Sequence, residues 1–322
     1  MADMIARVNG QDSFAYRGAP GWHGKGQTIQ ATDTLEQIQE KAGLLYNINR
    51  GRVRYAVDPK APPSQLRPVP DKVVLFRDDT GAPLGIVSDS YQIVQPAQVL
   101  EFFREWAQLG GAQIETAGAL FGGARYFVTA KIADAVRDVG NGDLLVPYIF
   151  GETSADGSLA TSFKETSVRV VCDNTAQIAR FGGATHRTTH RSVWKAADAR
   201  AAIENAVKDF GAYVEAARAL ARAKLDAAKV DELTAKLLAD GDVEAAKAKR
   251  AFGKILELFN GSGAGSHLST SNGTAWGWYN AVTDYVDHAA RAQSDEHRFA
   301  SAQSGPGAKM KDAALDIAMT TV

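Results

Sequence analysis

Cysteine is nearly absent: the 322-residue chain carries one, Cys172. No disulfide can close within it, so the fold must stand on its core, and a reducing compartment is expected. Long apolar runs are absent too. Nothing approaches the roughly 20 consecutive apolar residues of a membrane helix, so no membrane partner is expected. The first nine residues carry Asp3 and Arg7 and no apolar stretch, so a signal peptide is not expected and the cytoplasm is the expected location. Charge of one sign is missing as well. With 36 basic and 37 acidic residues the net charge is −1, and any basic surface must be local. The stretch Gly261-Ser-Gly-Ala-Gly265 lacks the Lys-Ser/Thr of a phosphate loop. No Gly-x-Gly-x-x-Gly follows a strand, and serine-hydrolase and kinase signatures are missing. No catalytic residue, cofactor or metal is therefore assigned.

What is present is ordinary for a globular protein: 45% apolar and 23% charged residues, at a length that fits one large or two modest domains. Of ten prolines, five (Pro59, Pro62, Pro63, Pro68, Pro70) crowd into residues 58–70, which read as a connector or exposed loop. A helix is predicted over 32–43, with Thr34 as cap, Leu35, Ile38 and Ala42 on one face, and Gly43 as stop. Residues 72–77 and 84–88 flank an Asp-Asp-Thr-Gly turn and predict a hairpin. Pro96 opens a helix with Val99, Leu100, Phe103 and Trp106 on its apolar face, ended by Gly110-Gly111. Strands follow at 113–120 and 125–132, then a long hairpin over 144–171, then a short helix over 174–181. From 196 to 260 alanine and charged residues at helical spacing predict two or three helices broken near Asp240-Gly241, and 274–292 a last strong one. The fold class is α+β: an antiparallel sheet in the order β-β-α-β-β-β-β, with flanking helices and a helical C-terminal part. Four parts are expected: a loop-rich arm with one helix (1–70), an α+β core (71–195), a helical hairpin or bundle (196–260), and a C-terminal helix and tail (261–322).

The richest constellation lies at 161–195. Six bases (Lys164, Arg169, Arg180, Arg187, Arg191, Lys195) face two acids, Glu165 and Asp173, and Phe163, Phe181 and Trp194 interleave. Strand cations beside stacking aromatics make a surface that tracks a phosphate backbone and tolerates any base. The expected nucleic-acid contacts are Arg125, Lys131, Lys164, Arg169, Arg180, Arg187, His190, Arg191 and Lys195, with Tyr126, Phe127 or Phe163 stacking on bases. The competing reading is a set of ordinary solvated charges. His186 and His190 have the spacing of a metal pair on a helix, but Gly182-Gly183 and Thr188-Thr189 argue for strand or loop, so a phosphate contact or structural hydrogen bond is preferred. Asp284 and His288 lie one helical turn apart, where a surface ion pair is the plainer reading. Cys172 reads as a buried strand-end cysteine.

Several ordered segments carry a family resemblance. They are Pro20-Gly-Trp-His-Gly-Lys-Gly26, Tyr91-Gln-Ile-Val-Gln95, Glu115-Thr-Ala-Gly118 with Gly122-Gly123, Val168-Arg-Val-Val-Cys-Asp-Asn-Thr175, and the run from Gly273 through Trp276, Trp278 and Tyr279 to His288. Together they resemble the phage/plasmid-like protein family, a domain of unknown function. The resemblance implies carriage on a mobile element and transfers no catalytic residue. The order of helix, strands and long hairpin is also similar to the core of the ring-forming single-strand annealing proteins of phages, of the Erf and Redβ types. That likeness implies an ATP-independent protein that binds and anneals single-stranded DNA as a homo-oligomer, with a ring as its assembly. Two other classes compete: a metal-dependent nucleic-acid enzyme using His186, His190, Asp284, Asp287 or His288, and an accessory protein that binds a host protein through the helices of 196–260.

Overall fold

The computed structural model describes the chain apart from residues 1–6, 9–10, 19–25, 61, 111, 133–134, 170–173, 178–185 and 189–195, with backbone alone at 7, 8, 11, 106–110, 169, 174–177, 186–188 and 196–207.

Local signals place the first elements. The strands β1 (Arg7–Val8) and β2 (Gln11–Asp12) form a small ladder, and β3 (Phe14–Tyr16) runs parallel to β4 (Gln27–Thr28). Helix α1 (Leu35–Lys41) starts at a capping box. The Thr34 hydroxyl accepts from the Gln37 amide, and the Gln37 side chain accepts from the Thr34 amide. Gly43 ends it at φ +65°, with Ser13 where a β-carbon would sit. A separate antiparallel sheet follows, made of β5 (Ile48–Tyr55), β6 (Arg67–Arg77) and β7 (Pro83–Ser88). Strand β5 and the distal half of β6 lie outside the elements the sequence predicts, and in β6 the prolines at 68 and 70 read as loop.

Then come α2 (Pro96–Gly110), β8 (Ala112–Leu120), β9 (Arg125–Ile132), β10 (Arg137–Asp138), β11 (Leu144–Ser154), β12 (Thr161–Arg169), β13 (Asn174–Gln177) and β14 (His186–Thr188). Residues 174–177 are thus a strand, not the start of a helix: they pair with residues 166–169 of β12. The helices α3 (Ala196–Arg222), α4 (Ala227–Ala239), α5 (Val243–Lys247), α6 (Arg250–Glu257), α7 (Ala275–Asp284), α8 (Asp295–Ser304) and α9 (Pro306–Met319) complete the chain. The class is α+β, as the sequence predicts.

The central sheet runs β13-β12-β11-β9-β8-β3-β4, with β10 pairing to β11 and β14 to β12. All pairs are antiparallel except β3 with β4. Phe14–Tyr16 pairs with β8, so part of the N-terminal segment is integral to this sheet, and a boundary at residue 70 would cut β6 in two.

Alternation gives the sheet two different faces. On one, Tyr126, Val128, Ile149 and Phe163 pack against Leu100 and Phe103 of α2 and Phe210 and Tyr213 of α3. The sheet comes so close to α2 that a β-carbon on Gly151 would lie 2.5 Å from the Phe103 ring. On the other face Phe14, Leu120, Phe127 and Phe150 form a second cluster under Phe299 of α8. Trp276 and Trp278 of α7 are fully buried; the Trp276 indole donates to Asp143 and the Trp278 indole to Thr234.

The smaller sheet is latched to the larger at its root. Buried Arg77 pairs with Asp79 at 2.7 Å, lies 3.8 Å over the Tyr46 ring and donates to the Gly122 carbonyl. Tyr46 donates to the Gly123 carbonyl, and Tyr91 to the Ser154 carbonyl.

Candidate functional site

Most of the cations expected at 161–195 lie outside the described side chains; where strands β9 and β12 are described, their alternation separates cation from aromatic. Arg125 and Tyr126 are neighbours on β9, and Phe163 and Lys164 are neighbours on β12, so each cation and its aromatic point to opposite faces. The aromatics face the α2 core. Tyr126 is 1% exposed and donates to the Val94 carbonyl, and burial pushes its phenol far above the ordinary range. Phe163 is 7% exposed, its ring 4.7 Å from Phe102 and 5.8 Å from Phe103. Phe127 belongs to the buried cluster of the opposite face. Tyr126 and Phe163 are closed to a nucleobase, which corrects their expected stacking roles, and Phe127 is 4% exposed.

The cations share the face that α8 covers. The Lys164 ammonium sits 2.7 Å from Glu152 and donates to the Gln303 carbonyl, with both charged side chains nearly buried. A phosphate could reach it only by displacing that carboxylate, so Lys164 is corrected to a structural ion pair. Arg125 is half-buried, donates to the Ser158 hydroxyl and lies over the Phe121 ring. Lys131 is half-buried near enough to Glu115 to pull that carboxyl down.

The backbone places Arg169 at the end of β12 opposite Asn174, and Arg187 opposite Ser162; their side chains lie outside the described part. Arg180, His190, Arg191 and Lys195 lie outside the described residues, as do Cys172 and Trp22-His23. His186 sits on a strand, which fits the strand-or-loop reading of the histidine pair. Asp284 is buried and accepts from the Ala264 amide; burial raises its carboxyl and the His288 charge pulls it back. Asp287 pairs at 2.8 Å with Lys311, itself buried. Among the described residues no cluster of three or more His, Cys, Asp or Glu side chains could hold a metal.

Two features carry more than the expected track. The first is the distal half of the β5–β6 arm. Arg52, Arg54, Lys60, Arg67 and Lys72 are all exposed, and none has an ion pair among the described residues. They face only Asp58 and Asp71 over residues 52–72, a local charge of 5 − 2 = +3. Arg50, at the root, is held instead by the carbonyls of Asp89 and Tyr91. Tyr55 and Val57 stand exposed near the tip, Tyr55 at 48%. The sequence signal was the alternation Arg50-x-Arg52-x-Arg54 around Val53.

The second is a cavity of about 250 Å³ between the central sheet and α8. Phenylalanines 14, 127, 150 and 299 line it, with Thr129 from the sheet and the carboxyl of Glu115. Burial raises the Glu115 carboxyl, against the pull of Lys131 and Arg17. Nothing in the sequence marked this space, because its walls come from five strands, residues 287–288 and α8, more than 270 residues apart in their extremes, Phe14 and Phe299.

The described residues form an α+β sheet layered with helices and carrying a basic β-arm. The chain belongs to the family described as a domain of unknown function (DUF932), whose pattern matches residues 83–304. Comparison with curated proteins and with solved structures gives no match. The family match takes in the central sheet from β8 onward and ends with α8, and the distal arm precedes it.

Proposed function

We propose that this protein binds nucleic acid, with single-stranded DNA as its ligand, and that the β5–β6 arm makes the leading contact. The observation that carries this is the set of five exposed cations on one hairpin, without an ion pair among the described residues. Cations without carboxylate partners keep their full attraction for phosphates, whereas a paired lysine such as Lys164 has already spent it. Tyr55, directly across the ladder from Arg67, offers a ring for a base freed from a duplex, which favours a single strand over paired DNA.

Annealing of complementary strands without ATP, a homo-oligomeric assembly and carriage on a phage or plasmid complete the reading. These last three rest on the family resemblance and on the sheet-then-helix order.

The test is fluorescence anisotropy with a labelled oligonucleotide across a salt series. Five phosphate contacts on a single strand give a slope of log affinity against log salt of roughly −3.5, at about −0.7 per contact. The triple variant Arg52→Glu, Arg54→Glu, Arg67→Glu should lose most of the affinity and flatten the slope by about two units. An unchanged slope removes the arm from the interface. Equal affinity for duplex overturns the single-strand choice.

A further inference from the structure

The cavity beneath α8 is a site of a different chemical kind from the arm. Its walls are mostly carbon, with the rings of Phe14, Phe127, Phe150 and Phe299 around it. An apolar cavity of about 150 Å³ takes up benzene, so the 250 Å³ here has room for an aromatic ring and a short tail. Four carboxyl groups line the cavity against one arginine and one histidine. Three of the four already have partners: Asp295 pairs with Arg298 at 2.8 Å, Asp287 with Lys311 at 2.8 Å, and Glu296 accepts from the Phe121 amide at 3.0 Å. Glu115 is the fourth. It is half-buried at the irregularity between Ile114 and Thr116, and its side chain has no hydrogen-bonding or ion-pair partner among the described residues. Partial burial disfavours its charge, Lys131 and Arg17 offset part of that, and a donor bonded to it would offset more.

We propose that this cavity binds a small apolar amine, protonated at neutral pH, whose ammonium group bonds to Glu115 and whose body packs against the phenylalanine rings. The ring faces add attraction for the cation, and the Glu115 carboxylate repels an anion placed against it. The site is therefore separate from nucleic-acid binding by the arm, and neither depends on the other.

The test uses the full chain and 2-phenylethylamine as probe, with 2-phenylethanol as neutral counterpart and 3-phenylpropanoate as anionic one, measured by isothermal titration calorimetry. The amine should bind tightest and the anion not measurably. Glu115→Gln should weaken the amine about tenfold or more, the loss of a charge-assisted bond, and leave the alcohol unchanged. Ala302→Phe, which places a ring in the cavity wall, should abolish both. Failure of the wild-type protein to bind the amine, or equal binding of amine, alcohol and anion, overturns the proposal. So does amine binding that survives both substitutions. Oligonucleotide binding measured on the same variants separates the two sites: it should persist in both, and its loss in the wild-type protein would count against the arm alone.

Discussion

Glutamate 165 gives the sharpest stability prediction. It lies on β12 facing α3, is 6% exposed, and neither carboxyl oxygen finds a hydrogen-bond partner among the described residues. Asp209 of α3 is buried nearby with one oxygen equally unpartnered. Burial first, and the neighbouring Asp209 charge second, push the Glu165 carboxyl up to about 8, from an ordinary 4.5. Between those two values the folded chain holds a proton that the unfolded chain has released. Stability is therefore greatest below the ordinary value and falls as pH rises through the window from 4.5 to 8. At about 1.4 kcal/mol per unit the full shift would be worth about 5 kcal/mol; screening by residual solvent brings the expected fall to roughly 2–3 kcal/mol. Glu165→Gln removes the titration. Urea unfolding at pH 5, 6, 7 and 8 should find the wild-type midpoint dropping relative to the variant, with the variant the more stable at pH 8. Parallel pH dependence in the two proteins would refute the reasoning.

Two other buried polar contacts make simpler predictions. Asp143 is fully buried and accepts from the Trp276 indole at 3.0 Å and the Thr270 hydroxyl at 2.7 Å, so Asp143→Ala strands two donors and should cost about 2–4 kcal/mol in chemical unfolding, with a changed tryptophan emission in the folded state. Lys311 is 1% exposed against Asp287, so Lys311→Met leaves a buried carboxylate without its countercharge and should cost about 3–5 kcal/mol; the double variant Lys311→Met, Asp287→Leu should recover most of it.

The fold was legible wherever a local signal decided the element. Thr34 with Gln37 fixed the start of α1, Pro96 the start of α2, and the Asp78-to-Gly81 turn the β6–β7 hairpin. The alternation of 144–169 marked the paired β11 and β12. Tertiary pairing decided the rest. Asn174–Gln177 carries a helix-tolerant sequence but extends because β12 offers it a free edge. Phe14–Tyr16 is too short to announce itself and is a strand because β8 lies beside it. Part of the expected interface separates for a reason the sequence itself contains. Cation and aromatic were read together along the chain at Arg125-Tyr126 and Phe163-Lys164, where strand geometry separates them onto two faces, one of them core. The arm was missed because prolines at 59, 62, 63, 68 and 70 read as loop, although the first three lie in its tip and the last two on an exposed strand edge.

The central claim is that nucleic acid meets the distal β5–β6 arm. The most direct measurement is ultraviolet cross-linking of the full chain to a bromodeoxyuridine-substituted single strand, followed by peptide mapping. Cross-links should concentrate between residues 52 and 72, with Tyr55 foremost, and fade with rising salt. Cross-links confined to other segments, with the arm unmarked, would contradict the account.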